Sequence, residues 1–359
     1  MTTFNRRGLI KSVGAAALAA PFINRTALGD TPLKVGYIYL GPIGDYGWTW
    51  AHEKGRKEMV AALGGKVTAD YVENVNEDQS ATPVIRDLAK SGHKLIFTTS
   101  FGYMDQTLAV AKEFPDVKFE HCTGFKHADN VGTYNNRFHE ARAVMGKISG
   151  MMSKTGVIGY LGSFKVPEVV MGVNSYALAA QSANPNIKVK LVMIDSWFDP
   201  AKESAAAETL ANLGCDFITT HTDSPAALQV CEKKKIFGFG QGADMTRFAP
   251  HACLTSILDI WGPYYTARAK AMLDGSWKSD DAWWGVKDGA VRIAPFSKSV
   301  PDNVKAEGDK IMKGWADGSY DVFTGPMVDQ SGKERLAKGV RMEDKDLAVI
   351  DWYVKGVEG

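Results

Sequence analysis

Leu33-Lys34-Val35-Gly36-Tyr37-Ile38-Tyr39-Leu40 is a strand-like run, and residues 46–63 after it have helical spacing that stops at Gly64-Gly65. This pair decides the fold because it recurs. Residues 66–72 read as a second strand, and 81–90 as a helix stopped at Gly92. A third strand, 93–99, has the apolar centre Leu95-Ile96-Phe97. A helix over 105–113 ends before Pro115, and 117–122 is a fourth strand. Strands alternating with helices at this spacing predict a parallel sheet covered on both faces.

The alternation restarts at Gly156-Val157-Ile158-Gly159-Tyr160-Leu161. Helices are expected over 168–183, 201–213 and 226–234, and strands over 189–194, 216–220, 235–239 and 254–258. Two successive α/β runs predict two doubly wound, Rossmann-like lobes, with the helix over 140–152 at the first crossing between them. In such sheets ligands bind beyond the carboxyl ends of the strands. The loops 41–49, 100–105, 123–125, 163–167, 195–200, 220–225 and 240–246 are therefore the candidate walls of an interlobe cleft.

Those loops carry flat rings and hydrogen-bonding groups. Trp48 lies beside Asp45 and Thr49, Phe101 and Tyr103 flank Gly102, Trp197-Phe198 precedes Asp199-Pro200, and Thr222-Asp223-Ser224 follows a strand. Indoles on opposing lobes can hold a planar ligand by stacking, each contact worth roughly 0.5–1.5 kcal/mol beyond area burial. Polar groups at the rim would read its edge. Most of the nine tryptophans must pack in cores, and Trp283-Trp284 and Trp352 read as structural.

The chain has 359 residues, enough for two lobes with separate cores. Its first thirty residues differ from the rest. Asn5-Arg6-Arg7-Gly8-Leu9-Ile10-Lys11 precedes a short apolar run from Val13 to Ile23, and no acidic residue occurs before Asp30. This reads as an export signal over residues 1–29, its paired arginines resembling the twin-arginine type. The formal charge of +1, less the four cations of that segment (Arg6, Arg7, Lys11, Arg25), is −3. Such a chain lacks the basic excess that holds a phosphate backbone, so nucleic acid is not an expected partner. No later run is apolar enough to span a bilayer, and no cysteine near the cleavage region offers a lipid anchor. Cys122, Cys215, Cys231 and Cys253 are scattered, and buried free thiols are the expectation.

No catalytic or cofactor motif stands out. There is no Gly-x-x-x-x-Gly-Lys loop and no Gly-x-Ser-x-Gly elbow. Gly238-Phe239-Gly240-Gln241-Gly242 lacks the full dinucleotide spacing. His121-Cys122 and His251/Cys253 do not have the spacing of metal ligands. The expectation is no enzyme, no cofactor and no metal.

The chain resembles the BMP family, the basic membrane protein or PnrA-like solute-binding proteins, over about residues 33–357. The resemblance rests on Gly44-Asp45-Tyr46-Gly47-Trp48, Ser153-Lys154-Thr155-Gly156-Val157-Ile158-Gly159 and Trp197-Phe198-Asp199-Pro200-Ala201-Lys202. His221-Thr222-Asp223-Ser224-Pro225-Ala226, Phe323-Thr324-Gly325-Pro326 and Asp351-Trp352 complete it. It implies a type I periplasmic binding protein, two α/β lobes joined by a three-strand hinge. The lobes are expected at 30–153 with 257–285, and at 154–256 with 286–359. It implies a monomer that carries purine nucleosides or related compounds to the membrane subunits of an ABC permease. Trp48 and Trp197 fall at the two aromatic positions that clasp the base. Asp45 matches the acidic residue of the first loop, and Thr222 to Ser224 a second-lobe loop near the ligand.

Three departures set this chain apart. Thr123 stands where members that take guanosine-like ligands end the fourth strand with an aspartate. Asp259 stands near where many members place a lysine for the sugar. Gly240-Gln241-Gly242-Ala243-Asp244 replaces a loop with two closely spaced aspartates, leaving Gln241 and Asp244 as its polar candidates. An aspartate accepts from both N–H groups of a guanine edge, and a threonine does not match that pair. The departures favour a free base, adenine first, over a nucleoside. Another small ligand on the same fold, such as a sugar, amino acid or autoinducer, and a chemosensory role are the alternatives.

Overall fold

The structure is a computed structural model that describes residues 31–359. The export signal expected over 1–29 lies outside the described residues. In chain order the first half runs β1 (Leu33–Ile38), α1 (Trp48–Leu63), β2 (Val67–Val72), α2 (Ala81–Lys90), β3 (Leu95–Thr98), α3 (Met104–Glu113), β4 (Lys118–Cys122) and β5 (Val131–Asn136). Then come α4 (Phe138–Met152), β6 (Val157–Gly162), α5 (Pro167–Ala183), β7 (Lys188–Met193), α6 (Pro200–Asn212), β8 (Phe217–Thr220), α7 (Ala226–Lys234), β9 (Phe237–Gly240) and β10 (Cys253–Asp259). The chain returns through α8 (Gly262–Asp274), β11 (Asp281–Trp284), β12 (Val291–Ile293) and α9 (Asp302–Asp317).

The first sheet has the order β11-β5-β4-β3-β1-β2, with every pairing parallel. The second has the order β12-β10-β9-β8-β6-β7 and ends on the C-terminal strand Val357–Glu358. Only β12 pairs antiparallel in it. In each sheet the strand order reverses beside β1 or β6, the first strand of its run. That reversal leaves a crevice at the carboxyl ends of the strands. The two sheets and their helices make the type I binding-protein architecture. β5, β11, β12 and the C-terminal strand are additions to the strands expected from sequence. Asn and Gly interrupt the apolar pattern of β5 (Val131-Gly132-Thr133-Tyr134-Asn135-Asn136), and only its place beside β4 makes it a strand.

The lobe boundaries fall where packing puts them. α4 belongs with the second lobe, because it packs along α5 with their backbones in near contact. A Cβ on Gly146 or Gly150 would lie 2.2 or 2.3 Å from the carbonyl oxygens of Tyr176 and Ala180. The first crossing is therefore at residues 136–138, ahead of the expected 153/154. β10 stays in the second sheet through Asp259, so the return falls after it rather than at 256/257. α8 then packs on α1 in the first lobe. The last crossing lies between β11 and β12, around the expected 285/286.

The three crossings run side by side. The Arg137 N–H donates to Trp284 O at 2.8 Å, and the Ile260 N–H to Ala290 O at 2.9 Å. The Asn136 side chain donates to Ala290 O at 3.3 Å. Each lobe has its own core. Tyr37, Phe97, Tyr134, Trp261 and Tyr265 centre the first, and α4, α5 and the inner strands enclose the second. All four cysteines are free and buried.

Candidate functional site

A cavity lies between the lobes at the carboxyl ends of their strands. From the first lobe it is lined by Leu40, Trp48, Ser100, Phe101 and Thr123. The second lobe contributes Glu168, Trp197, His221, Asp223 and Gln241.

Trp48 is the first residue of α1, and the loop before it is shaped by Asp45. The Asp45 carboxylate accepts the N–H groups of Gly47, Thr49 and Trp50 at 2.9–3.0 Å. These are donors that a helix start leaves without intrahelical partners. Burial pushes the Asp45 carboxyl up to about 6, against the pull of those N–H groups. Trp48 is fixed by its own lobe and by Phe138 at the start of α4. Its indole N–H donates to Thr99 O at 2.6 Å, and its ring meets His52, Trp261 and Phe138 edge-on at 4.5, 5.5 and 5.8 Å.

Trp197 stands in the loop between β7 and α6. Its carbonyl accepts the Asp223 N–H at 3.0 Å, and its ring lies 5.4 Å from Phe164. Its indole N–H crosses the cleft to Glu77 Oε2 at 3.1 Å.

The polar groups of the second lobe form two relays. In one, His221 lies between the Tyr160 hydroxyl, 2.9 Å from Nδ1, and the Glu168 carboxylate, 3.3 Å from Nε2. Burial pushes the His221 pKa down against the pull of Glu168, which favours the neutral ring. With the ring neutral, the geometry suits a proton on Nε2 facing Glu168 and a lone pair on Nδ1 facing the tyrosine hydroxyl. Asn135 of β5 donates to the other Glu168 oxygen at 3.2 Å. In the second relay, the fully buried Arg142 of α4 donates to Thr219 Oγ1 at 2.6 Å and Thr220 O at 2.7 Å. It also donates to Gln241 Oε1. With that oxygen engaged, the Gln241 amide nitrogen is the group left to donate to a ligand.

Acidic groups outnumber basic ones around this cavity. The buried Asp223 carboxyl is held well above the usual range by burial first, then by Asp45, Glu203, Asp259 and Glu168. Asp259, at the end of β10, is 3% exposed. Neither of its oxygens has a hydrogen-bond partner among the described residues. Burial and Glu168 push it up to about 7 against the attraction of Arg142.

Six of the twelve residues expected at the site line the cavity: Trp48, Phe101, Thr123, Trp197, Asp223 and Gln241. The other six sit elsewhere. Asp45 shapes the α1 entry, and Thr49 Oγ1 accepts the Gly41 N–H at 3.2 Å. The Tyr103 hydroxyl is tied to Val75 O. Thr222 pairs with the Thr220 hydroxyl. Asp244 is exposed and accepts the Thr246 N–H at 3.0 Å in its own turn. Asp259 is buried and does not line the cavity. Polar residues in these loops close backbone turns as readily as they meet ligands, which is why loop position alone does not sort them.

Leu40, Ser100, Glu168 and His221 were not among the expected residues. Glu168 had one usable signal. It follows the loop 163–167 in the first turn of α5, a site where a carboxylate is favoured by the helix dipole.

The lobes meet beyond the cavity. Arg247 of the second lobe donates to the Tyr46 hydroxyl at 3.1 Å and lies 4.3 Å from that ring's centre. Gly47 is so close to the second lobe that a Cβ there would lie 2.2 Å from Asp223 O.

The sequence pattern of Bmp, described as ABC transporter substrate-binding protein PnrA-like, matches residues 33–315. The chain belongs to this Bmp family. It is 51% identical over 343 residues to a purine-binding protein of Brucella abortus, an alignment covering 96% of this chain and 98% of that one. It is 32% identical to a protein of Haloferax volcanii named for ABC transport and glucose binding, covering 92% and 81% of the two chains. Among solved structures, an ABC transporter solute-binding protein of Aeropyrum pernix superposes with a TM-score of 0.71 at 16% identity, over 81% of this chain and 93% of that one. One from Conexibacter woesei gives 0.65 at 20% identity, over 80% and 98%.

As a Bmp protein the chain is a substrate-binding component of an ABC transporter, a class that hands small molecules to permease subunits and is typically exported. Its family and these two relatives are transport-related binding proteins, not enzymes. No helix among the described residues is long and apolar enough to cross a membrane.

Proposed function

We propose that the interlobe cavity takes a purine base, adenine in first place, between the rings of Trp48 and Trp197, and that the protein delivers it to an ABC permease after export by the twin-arginine-type signal. The observation that carries this reading is the pair of indoles, one from each lobe, lining one cavity with acceptors and donors around it. The purine-binding relative at 51% identity supports the ligand class.

The edge chemistry favours adenine. Glu168 accepts, and the Asp223 carboxyl, which burial disposes to keep its proton, still accepts through its carbonyl oxygen, as adenine's amino group and ring N–H require. The Gln241 amide donates, as its ring nitrogens require. Thr123 bears on guanine. Its hydroxyl donates to Cys122 O at 2.7 Å, so it presents no carboxylate to guanine's paired N–H groups. Thr123 also has φ +62, an uncommon conformation for a β-branched residue, at a position on the cavity wall. With no lysine near Asp259, the grip on a ribose is weakened.

A hexose is the second reading, favoured by the relative named for glucose binding. Indole faces also stack on sugar rings. A thermal-shift panel on refolded, ligand-stripped protein separates the two, using adenine, guanine, hypoxanthine, adenosine, guanosine, glucose and ribose. A ligand at about a thousand times its Kd adds roughly 4 kcal/mol. Stabilisation by adenine above all others supports the proposal. Stabilisation by glucose alone, or tighter binding of guanosine than adenine, overturns it.

A further inference from the structure

Glu77 lies in the first-lobe loop between β2 and α2 and does not line the cavity. Its two carboxylate oxygens serve different lobes. Oε1 accepts the Gly102 N–H at 2.7 Å and the Ser100 hydroxyl, both in the first lobe. Oε2 accepts the Trp197 indole N–H at 3.1 Å, from the second lobe. The side chain lies flat on Gly102, where a Cβ would come within 2.5 Å of it. Glu77 is thus anchored by its own lobe and presents one free oxygen to the other.

The two cavity indoles differ in this respect. Trp48 bonds to Thr99 within the first lobe, so its orientation survives when the lobes part. The N–H bond of Trp197 exists only while the lobes are together. We propose that Glu77 is a positioning residue that fixes the Trp197 ring on closure, so that the first-lobe wall of the site is preformed and the second is completed by closing. The inference rests on the reading that Trp197 stacks on the ligand. A charge-assisted hydrogen bond to one edge of an indole sets the plane of the whole ring. A ring so fixed keeps its face against the ligand, and the gain appears in the lifetime of the closed complex.

The test is a double-mutant cycle on the full protein, with adenine as the probe and its release measured by stopped-flow fluorescence. Trp197→Phe keeps an aromatic face and removes the N–H, and Glu77→Ala removes the acceptor. Each should speed release at least about tenfold through the one bond they share, and Glu77→Ala also loses its bonds to Ser100 and Gly102. The double variant should release adenine within about twofold of Glu77→Ala alone, because Trp197→Phe then has no bond to Glu77 left to delete. In a Trp48→Phe background, Glu77→Ala should keep its full effect. Release by Glu77→Ala at the wild-type rate, or effects of Glu77→Ala and Trp197→Phe that multiply, overturns the proposal. A general loosening of the 100–102 loop would give the multiplying result. Trp197→Ala separates the two readings. Wild-type affinity in that variant sinks the stacking itself, whereas lost affinity together with a silent Glu77→Ala sinks only the role of Glu77.

Discussion

Replacing Asp259 with Asn should change how stability depends on pH. The Asp259 carboxylate is 3% exposed, and neither oxygen has a hydrogen-bond partner among the described residues. An Asp carboxyl in water loses its proton near 3.8, whereas this one holds it to about 7, chiefly through burial. Between those values the folded protein binds more protons than the unfolded chain, so stability falls as pH rises. The loss begins above pH 4 and is complete just above pH 7. A displacement of about three pH units corresponds to about 4 kcal/mol in full, of which between 2 and 3 kcal/mol accrues from pH 5 to pH 8. Asn does not titrate, so the stability of the variant relative to wild type should rise by that amount over the interval. The new amide also lacks partners, which displaces the whole curve by a pH-independent amount. The slope is therefore the measurement. Scanning calorimetry of ligand-free protein at pH 5, 6, 7 and 8 should show the two melting temperatures diverging in the variant's favour by roughly 3–4 °C. Parallel curves would refute the reasoning, since they would mean that Asp259 is solvated or partnered in the native state.

Trp48→Ala and Trp197→Ala should each weaken adenine binding by about 1–3 kcal/mol in titration calorimetry, through lost stacking and contact area, with circular dichroism unchanged. Gly47→Ala should hold the lobes apart, because the new Cβ would lie 2.2 Å from Asp223 O. Its ligand-saturated radius of gyration should stay near the ligand-free value, and its adenine affinity should fall at least about tenfold. Arg142→Met should destabilise the fold by about 3–5 kcal/mol in urea titration. That change leaves Thr219, Thr220 and Gln241 without their shared donor and Asp259 without its nearby cation.

The α/β order, the helix stops at Gly64 and Gly92, and the two strand-helix runs were legible in the sequence. Apolar periodicity and chain breakers are local properties, and each expected helix lies within about two residues of one found, whereas α9 was not expected. β5 was not legible, because its strand character comes from β4 beside it. The first lobe boundary was not legible either. Nothing local in residues 138–152 says which lobe α4 joins, and the backbone contact of Gly146 and Gly150 with α5 settles it. At the cavity, Trp48 and Trp197 could be named because large rings in facing loops are uncommon. Glu168, His221 and Glu77 were less visible, since carboxylates and a histidine on loops and helix starts have many ordinary uses.

The order of residues by itself determined the fold class, the family and the pair of loops that bring aromatic rings to the cleft. Those follow from periodicity, glycine placement and motif order, all carried along the chain. Only the tertiary structure decided which polar side chains face the cavity and which close their own turns. It sent the Asp45 carboxylate to three backbone N–H groups and left that of Asp259 without a partner among the described residues. It also joined Glu77 to Trp197 over a sequence separation of 120 residues. A carboxylate takes whatever donors the fold brings within about 3 Å, and that set is fixed by long-range packing rather than by chain neighbours.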